Sequence, residues 1–285
     1  MSDIKVSLFA SAVRHDLWNS LIESLNATII SYEIVFCGNK AKEPGWSFYH
    51  LKHIKTENIK PAQCYEIARR HCQGETVVWI ADDCEFPKDI IGKAYKYWKS
   101  QNNKKLILSL QTKESGYGTK EPTLFDMTKH CFYGGDSETP LMAPIGMMSR
   151  KFLDELGGFD RRYIGGQYEN DLVMRAYQNG AKVEIFGDEN NYVEIDHLRK
   201  SFAIGESTNE EDYLQRPFAK NYQHDRKILQ ESWTTFDMHE AIAHYSSGGE
   251  YKRLRKMSPI QLDKFEPYSD EDILTKSQSY KGHWE

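Results

Sequence analysis

The sequence lacks any apolar run of the roughly 18 to 20 residues that a helix needs to cross a bilayer. Its first residues, MSDIKVSLFASAVRHD, contain an acid near the terminus and an apolar core that is too short for a secretory signal. These two absences argue against a membrane-spanning or secreted protein. We therefore expect a cytoplasmic location.

Closely spaced cysteine pairs and an excess of positive charge are also missing. The 5 cysteines (Cys37, Cys64, Cys72, Cys84 and Cys131) include no CxxC pair of the kind found in zinc and redox sites, so we expect reduced thiols. The net charge of −5 gives no overall reason to expect binding to nucleic acid or an anionic membrane. The one dense basic run, YKRLRK at residues 251–256, is typical of a solvated helix face.

Short apolar runs alternate with helical patterns over the first half of the chain. Strands are predicted at residues 5–10, 32–38, 76–81 and 105–110, with amphipathic helices between them, and a closing strand at 182–186. This alternation predicts an α/β fold with a mostly parallel sheet covered by helices on both faces. Residues 111–140 resemble a long surface loop. We expect one domain over residues 1–205 and a helical C-terminal extension over 206–285.

Acidic residues follow two of the predicted elements. Asp82 and Asp83 lie in WIADDCEFP, at the carboxyl end of a predicted strand, where sheets of this class bind their ligands. Glu169 and Asp171 lie at the start of a helix that follows GGFDRRYIGGQY, and His197 follows a short apolar run. A carboxylate pair can hold Mg²⁺ or Mn²⁺ on a diphosphate, and a separate carboxylate can take a proton from a hydroxyl.

Structural interpretations of the same residues remain open. Adjacent aspartates occur often by chance, and a lone histidine is more often structural than a metal ligand. Glu169 and Asp171 can simply be acids of a first helical turn, each stabilising the helix by about 0.3 to 1 kcal/mol. The functional interpretation depends on the order and spacing of these features together.

Four stretches carry a resemblance to the family 2 inverting glycosyltransferases of the GT-A (Rossmann-like) fold, over about residues 4–201. KVSLFASAVRHDLWNSLIESL is similar to the opening strand and helix of that family, and GETVVWIADDCEFP resembles its DxD segment. PIGMMSRKFLDELGGFD resembles the strand and helix that end in Gly-Gly-Phe-Asp. YENDLVMRAYQNGAKV resembles the catalytic helix.

This resemblance implies roles for the acidic residues. Asp82 and Asp83, with His197 as a further ligand, would hold Mn²⁺ or Mg²⁺ on a nucleotide-sugar, for which UDP is the expected nucleotide. Ser11 and Asn39 would contribute to the donor site. Glu169 stands at the position of the general base, and Asp171 would bind the acceptor or orient that base. The acceptor would offer a hydroxyl from a glycan, a lipid carrier, a protein or a modified nucleic acid.

Two other functions remain as alternatives. A degenerate domain that binds a sugar, a nucleotide or a partner without turnover is favoured by Ile80 and by the FCGN stretch, where the family commonly has acids. A sugar nucleotidyltransferase would carry a glycine-rich phosphate loop after the first strand. FASAVRHDL contains no such glycines, so we rank that activity lower.

Overall fold

The computed structural model describes the following parts of the chain: residues 4–39, 50–56, 61–115, 125–126, 142–160, 162–188, 190–196, 221, 223–225 and 227–229. The strands are β1 (Val6–Ser11), β2 (Tyr32–Gly38), β3 (Leu51–Lys55), β4 (Thr76–Trp79), β5 (Cys84–Glu85), β6 (Leu106–Leu110), β7 (Thr112–Ser115), β8 (Phe125–Asp126), β9 (Gly146–Ser149), β10 (Lys182–Phe186) and β11 (Val193–Asp196). The helices are α1 (Trp18–Leu25), α2 (Pro61–Arg70), α3 (Ile90–Ser100), α4 (Arg150–Glu155) and α5 (Tyr168–Gln178).

Seven strands form the main sheet, in the order β10-β6-β9-β4-β1-β2-β3. β9 pairs antiparallel with both β4 and β6, and the other neighbours pair parallel. β4 and β6 are buried along their whole length, because their apolar runs are covered on both faces. The mostly parallel α/β sheet predicted from the sequence is confirmed.

Helices α1 and α2 cover opposite faces of this sheet. Trp18 of α1 packs on Phe36 of β2, whereas Tyr65 of α2 packs on Phe9 of β1. In the parallel register Phe9 lies beside Val35, and Phe36 lies beside Ala10. Since successive side chains of a strand point to opposite faces, Phe9 and Phe36 face opposite sides of the sheet. The expectation of helices on both faces is confirmed.

A second sheet corrects the prediction of a surface loop over residues 111–140 at residues 112–115 and 125–126, while residues 116–124 and 127–140 of that segment lie outside the described residues. Its four strands have the order β5-β11-β7-β8, so β7 and β8 form within the segment predicted as loop. Thr112 is completely buried, and β7 pairs along its length with β11. The sequence of β7, TKES, has no apolar alternation. Long-range pairing, rather than a local pattern, therefore makes it a strand.

The described part of the C-terminal extension is helical at residues 221, 223–225 and 227–229. Asn221, Asp225 and Leu229 are buried, at the four-residue spacing that places side chains on one face of a helix. The boundary expected near residue 205 lies outside the described residues. Among the helices that the structure describes, none combines the length and the apolar character required of a membrane span.

Candidate active site

The acidic pair lies where the central strand β4 leaves the sheet. Ile80 still donates its N–H to the carbonyl of Phe9, at 3.0 Å, and the chain then turns away. Asp82 and Asp83 follow, with only 1% and 4% of their surfaces exposed. The position at the carboxyl edge of the sheet agrees with the sequence-based prediction. Burial of two adjacent carboxylates requires compensating hydrogen-bond donors.

Those donors come from the loop after β1. Asp82 Oδ2 accepts the main-chain N–H groups of Val13 and Arg14, each at 2.7 Å. The Arg14 guanidinium Nη1 lies 2.5 Å from Asp82 Oδ1 and 3.5 Å from Asp83 Oδ2. Sequence reasoning missed Arg14, three residues after β1, because its contact with Asp82 spans 68 residues and no local pattern indicates it.

Ser11 and Asn39, the other two residues expected at the donor site, lie at the same edge. Ser11 ends β1, and the exposed Asn39 follows β2, which pairs parallel with β1. A Cβ atom at Gly38 would lie 1.9 Å from the carbonyl oxygen of Ala12, so only glycine allows the two strand ends to approach this closely. The carboxyl ends of β1, β2 and β4 therefore bring Ser11, Asn39 and the acidic pair to one side of the sheet.

Glu169 and Asp171 share the first turn of α5 but have different surroundings. Glu169 is half-buried, whereas Asp171 is completely buried. Asp171 Oδ2 accepts a hydrogen bond from Arg175 Nε at 2.8 Å. Arg175 also donates to the carbonyls of Leu156 and Gly158, each at 2.6 Å. Asp171 and Arg175 therefore hold the glycine turn at the end of α4 against α5.

Tyr65 on α2 connects the acidic pair to the start of α5. Its hydroxyl donates to the carbonyl of Ile80 at 2.6 Å, and its ring packs 5.1 Å from that of Tyr168, the neighbour of Glu169. Burial raises the pKa of Tyr65 well above its usual value, and the negative charges of Asp82 and Glu169 add to the rise. The Tyr65 hydroxyl is bonded two residues before Asp82 and its ring packs beside the residue that precedes Glu169, so α2 lies next to both acidic features. Tyr65 was missed from the sequence, where it reads as an apolar-face residue of α2.

The described residues contain no cluster of three or more histidine, cysteine, aspartate or glutamate side chains arranged to hold a metal. His197 lies outside the described residues. β11, which ends one residue before it, pairs Ile195 with Cys84, directly after Asp83. Asp83 Oδ2 lies 3.5 Å from the Arg14 guanidinium, a longer separation than the 2.5 Å between Arg14 and Asp82 Oδ1. A carboxylate at a strand end fits a Mg²⁺ or Mn²⁺ ion that is otherwise held by phosphate oxygens and water.

No protein-family model matches the chain, and no curated protein matches it in sequence. A crystal structure of S. aureus TarS 1-349 matches with a TM-score of 0.54 and 15% identity, covering 98% of this chain and 92% of that one. The same fragment in complex with UDP-GlcNAc gives a TM-score of 0.53 and 14% identity, with the same coverage. A longer crystal structure of S. aureus TarS gives a TM-score of 0.54 and 14% identity over 85% of this chain, which spans only 44% of that one. At this identity the likeness shows the fold: the chain has the GT-A glycosyltransferase fold.

Proposed function

We propose that this chain is a metal-dependent, inverting glycosyltransferase similar to family 2, which moves a sugar from a nucleoside-diphosphate sugar to an acceptor hydroxyl. One observation carries the proposal. In a GT-A fold, Tyr65 contacts Ile80, two residues before Asp82, and Tyr168, the residue before Glu169, which supports a single site for the acidic pair and Glu169. S. aureus TarS, which shares this fold, has been crystallised with UDP-GlcNAc and with UDP, and this supports a UDP-sugar as the donor.

Asp82 and Asp83 have different roles at the donor site in this proposal. Asp82 fixes the loop after β1 through two main-chain hydrogen bonds and Arg14. Asp83 would hold Mn²⁺ or Mg²⁺, with His197 as a further ligand that the family resemblance suggests. When bound, the ion would neutralise the charge that develops on the departing diphosphate. Ser11 and Asn39, at the ends of β1 and β2, line the side on which the nucleotide would bind.

Glu169 is the general base in this proposal. Its place in the first turn of α5 favours the ionised carboxylate, because the N-terminus of a helix carries partial positive charge. The acceptor oxygen forms a bond to the anomeric carbon from the face opposite the diphosphate. The bond from that carbon to the diphosphate oxygen breaks, and its electron pair leaves with the nucleoside diphosphate. The acceptor proton passes to the Glu169 carboxylate. Because the attack comes from the face opposite the diphosphate, the anomeric configuration is inverted.

Asp171 acts in the same site through its neighbours. It is completely buried and paired with Arg175, so it stabilises the turn at Gly158 and the packing of α5. An acceptor would have to displace this ion pair to reach its carboxylate. We therefore give Asp171 a positioning role, and we assign contact with the acceptor to the half-buried Glu169.

A second candidate is a domain that binds the nucleotide without turning it over. The observation that favours it is the engagement of Asp82 and Asp83 by Arg14, which supplies an internal positive charge at the place where a metal is expected. Such a binder would retain UDP without releasing a sugar. Measured turnover separates it from the enzyme.

The test compares Glu169→Gln with the wild-type protein in the hydrolysis of a panel of UDP-sugars in the presence of Mn²⁺. Loss of a general base is expected to lower kcat by about 10² to 10⁴-fold. Glu155→Gln, on the exposed side of α4, is the matched control and should leave kcat unchanged. Retention of most of the activity by Glu169→Gln would refute the assignment of the base.

A further inference from the structure

The residues that precede α5 give the start of this helix little local support. Gln167, at its N-cap, has the left-handed φ of 64° and makes no side-chain cap hydrogen bond. Gly165 and Gly166, directly before it, add backbone freedom. A side chain at the N-cap normally accepts a main-chain N–H of the first turn and so fixes the start of a helix. Here another part of the molecule must fix the position of Glu169.

Asp225 of the C-terminal extension provides this support. Its carboxylate accepts the consecutive N–H groups of Ile164, Gly165 and Gly166, each at 2.8 Å. Only 1% of its surface is exposed. Consecutive N–H groups that converge in this way form a concave anion site, and the anion here is a side chain that lies about 60 residues further along the chain.

Helix α2 holds the same loop through its carbonyl groups. Gln63 Nε2 donates to the carbonyl of Tyr163 at 2.8 Å, and the N–H of Ala62 donates to the carbonyl of Ile164 at 3.2 Å. These contacts leave the N–H groups of the loop to Asp225. Asp225 is therefore the contact that determines how the two glycines enter α5.

The electrostatics of Asp225 argue for more than stability. Burial raises the pKa of its carboxyl group, although the three N–H groups act in the opposite direction. The charged form is therefore held in a place where desolvation outweighs its hydrogen bonds. A buried carboxyl group that is bound to the loop leading into the helix of Glu169 and has a perturbed pKa is a candidate for function.

We propose that Asp225 is a positioning residue for the transfer reaction: through Ile164, Gly165 and Gly166 it sets the place of Glu169 relative to the acceptor. This inference rests on the proposed function, since it assigns to the C-terminal extension a role at the same site. Small displacements of a reacting group lower the rate strongly, with about 10²-fold for 1 Å as the usual scale. The donor would bind at the ends of β1, β2 and β4, so the proposal predicts that donor binding is unchanged when this loop is displaced.

The test measures UDP-sugar hydrolysis by Asp225→Asn. An asparagine has the same shape, but its Nδ2 cannot accept an N–H, so at least one of the three bonds is lost. We expect kcat to fall by about tenfold or more while KM for the donor stays constant, the pattern of an interaction used in the transition state. Asp89→Asn is the matched control: Asp89 is also a buried carboxylate that accepts a main-chain N–H, but from Ile29, which precedes β2 and lies at the opposite edge of the sheet.

A double-mutant cycle identifies the route of the effect. If Asp225 acts through Glu169, adding Asp225→Asn to Glu169→Gln should cause no further loss of kcat. Equal loss in both backgrounds, or an Asp225→Asn protein as active as Asp89→Asn, would overturn the inference. Full activity of Glu169→Gln by itself would instead refute the proposed function.

Amide hydrogen exchange tests whether Asp225 holds the loop, and this measurement does not depend on enzymatic turnover. In the wild-type protein the amides of Gly165 and Gly166 should be protected to the same degree as those of α5, and they should exchange about tenfold faster or more in Asp225→Asn. If Asp225→Asn does not fold, the exchange rates of Gly165 and Gly166 in the wild-type protein still test whether Asp225 holds the loop. Exchange of these two glycines at the rate of open loops would show that Asp225 does not hold them.

Discussion

The buried ion pair of α5 allows a structural role of Asp171 to be distinguished from a direct role in catalysis. Asp171 and Arg175 are 0% and 1% exposed, and Arg175 also donates to two neutral acceptors, the carbonyls of Leu156 and Gly158. Asp171→Asn would leave the guanidinium charge buried without its counter-ion. Breaking such a pair costs about 3 to 5 kcal/mol, and the two remaining carbonyls place this site near the lower value.

The loss should appear in thermal unfolding. For a domain of this size each kcal/mol lowers Tm by about 2 to 4 °C, so a loss of about 3 kcal/mol predicts a decrease of roughly 6 to 12 °C. Circular dichroism at neutral pH measures the Tm, and UDP-sugar hydrolysis is measured well below either transition. There, the folded Asp171→Asn protein should retain activity within about tenfold of the wild type, since Asp171 acts through its packing.

A double replacement tests whether the unpaired buried charge of Arg175 causes the loss of stability. Asp171→Leu combined with Arg175→Met removes both charges, so it should be more stable than either single variant. A Tm for Asp171→Asn within about 2 °C of the wild type, together with lost activity, would refute the reasoning, because it would mean that Asp171 contacts the substrate directly.

Three further predictions concern other contacts. Gly158→Ala should lower Tm far more than Gly180→Ala. Both glycines have positive φ, but the added Cβ would lie 2.3 Å from Glu66 Oε2 at position 158, whereas it would lie in open space at position 180. Similar Tm values for the two variants would contradict the contact between the glycine turn and Glu66. Tyr65→Phe leaves the carbonyl of Ile80 without its hydrogen-bond donor, so the free energy of unfolding measured in urea titrations should fall by about 1 to 3 kcal/mol. An unchanged urea midpoint would argue against the hydrogen bond between Tyr65 and Ile80. Hydrogen bonds from Lys99, Tyr95 and Lys104 lower the pKa of Glu75 from 4.5 to about 2, so its contribution to stability is complete above pH 4.5 and is lost as the pH falls toward 2. The Tm difference between the wild type and Glu75→Gln should therefore shrink on acidification through this range, and a constant difference would exclude the effect.

The sequence predicted those elements whose local pattern agrees with their place in the fold. The apolar runs of β1, β2, β4 and β6 and the amphipathic helices α1 to α3 identified the central sheet. β3 and β7 were missed, since LKHIK and TKES carry polar residues and become strands only through pairing with β2 and β11. Their formation depends on partners that are distant along the chain.

The candidate site was predicted unevenly for a similar reason. Asp82, Asp83 and Glu169 could be found because strand ends and helix starts are visible in sequence. Arg14 and Asp225 make contacts across 68 and about 60 residues, and no local pattern indicates such pairs. The partner of Asp171, four residues away on the same helix, was within reach of sequence reasoning, because aspartate and arginine at this spacing meet on one helix face.

The most direct test of the account is a calorimetric titration of UDP into the purified protein, with and without Mn²⁺, alongside Asp83→Asn. UDP is expected to bind the wild-type protein in the presence of Mn²⁺, and Asp83→Asn should abolish this metal-dependent binding. Binding that is equally strong without metal and in Asp83→Asn, or no binding of UDP, GDP, CDP or dTDP under any condition, would contradict a metal-dependent nucleotide-sugar site at the end of β4.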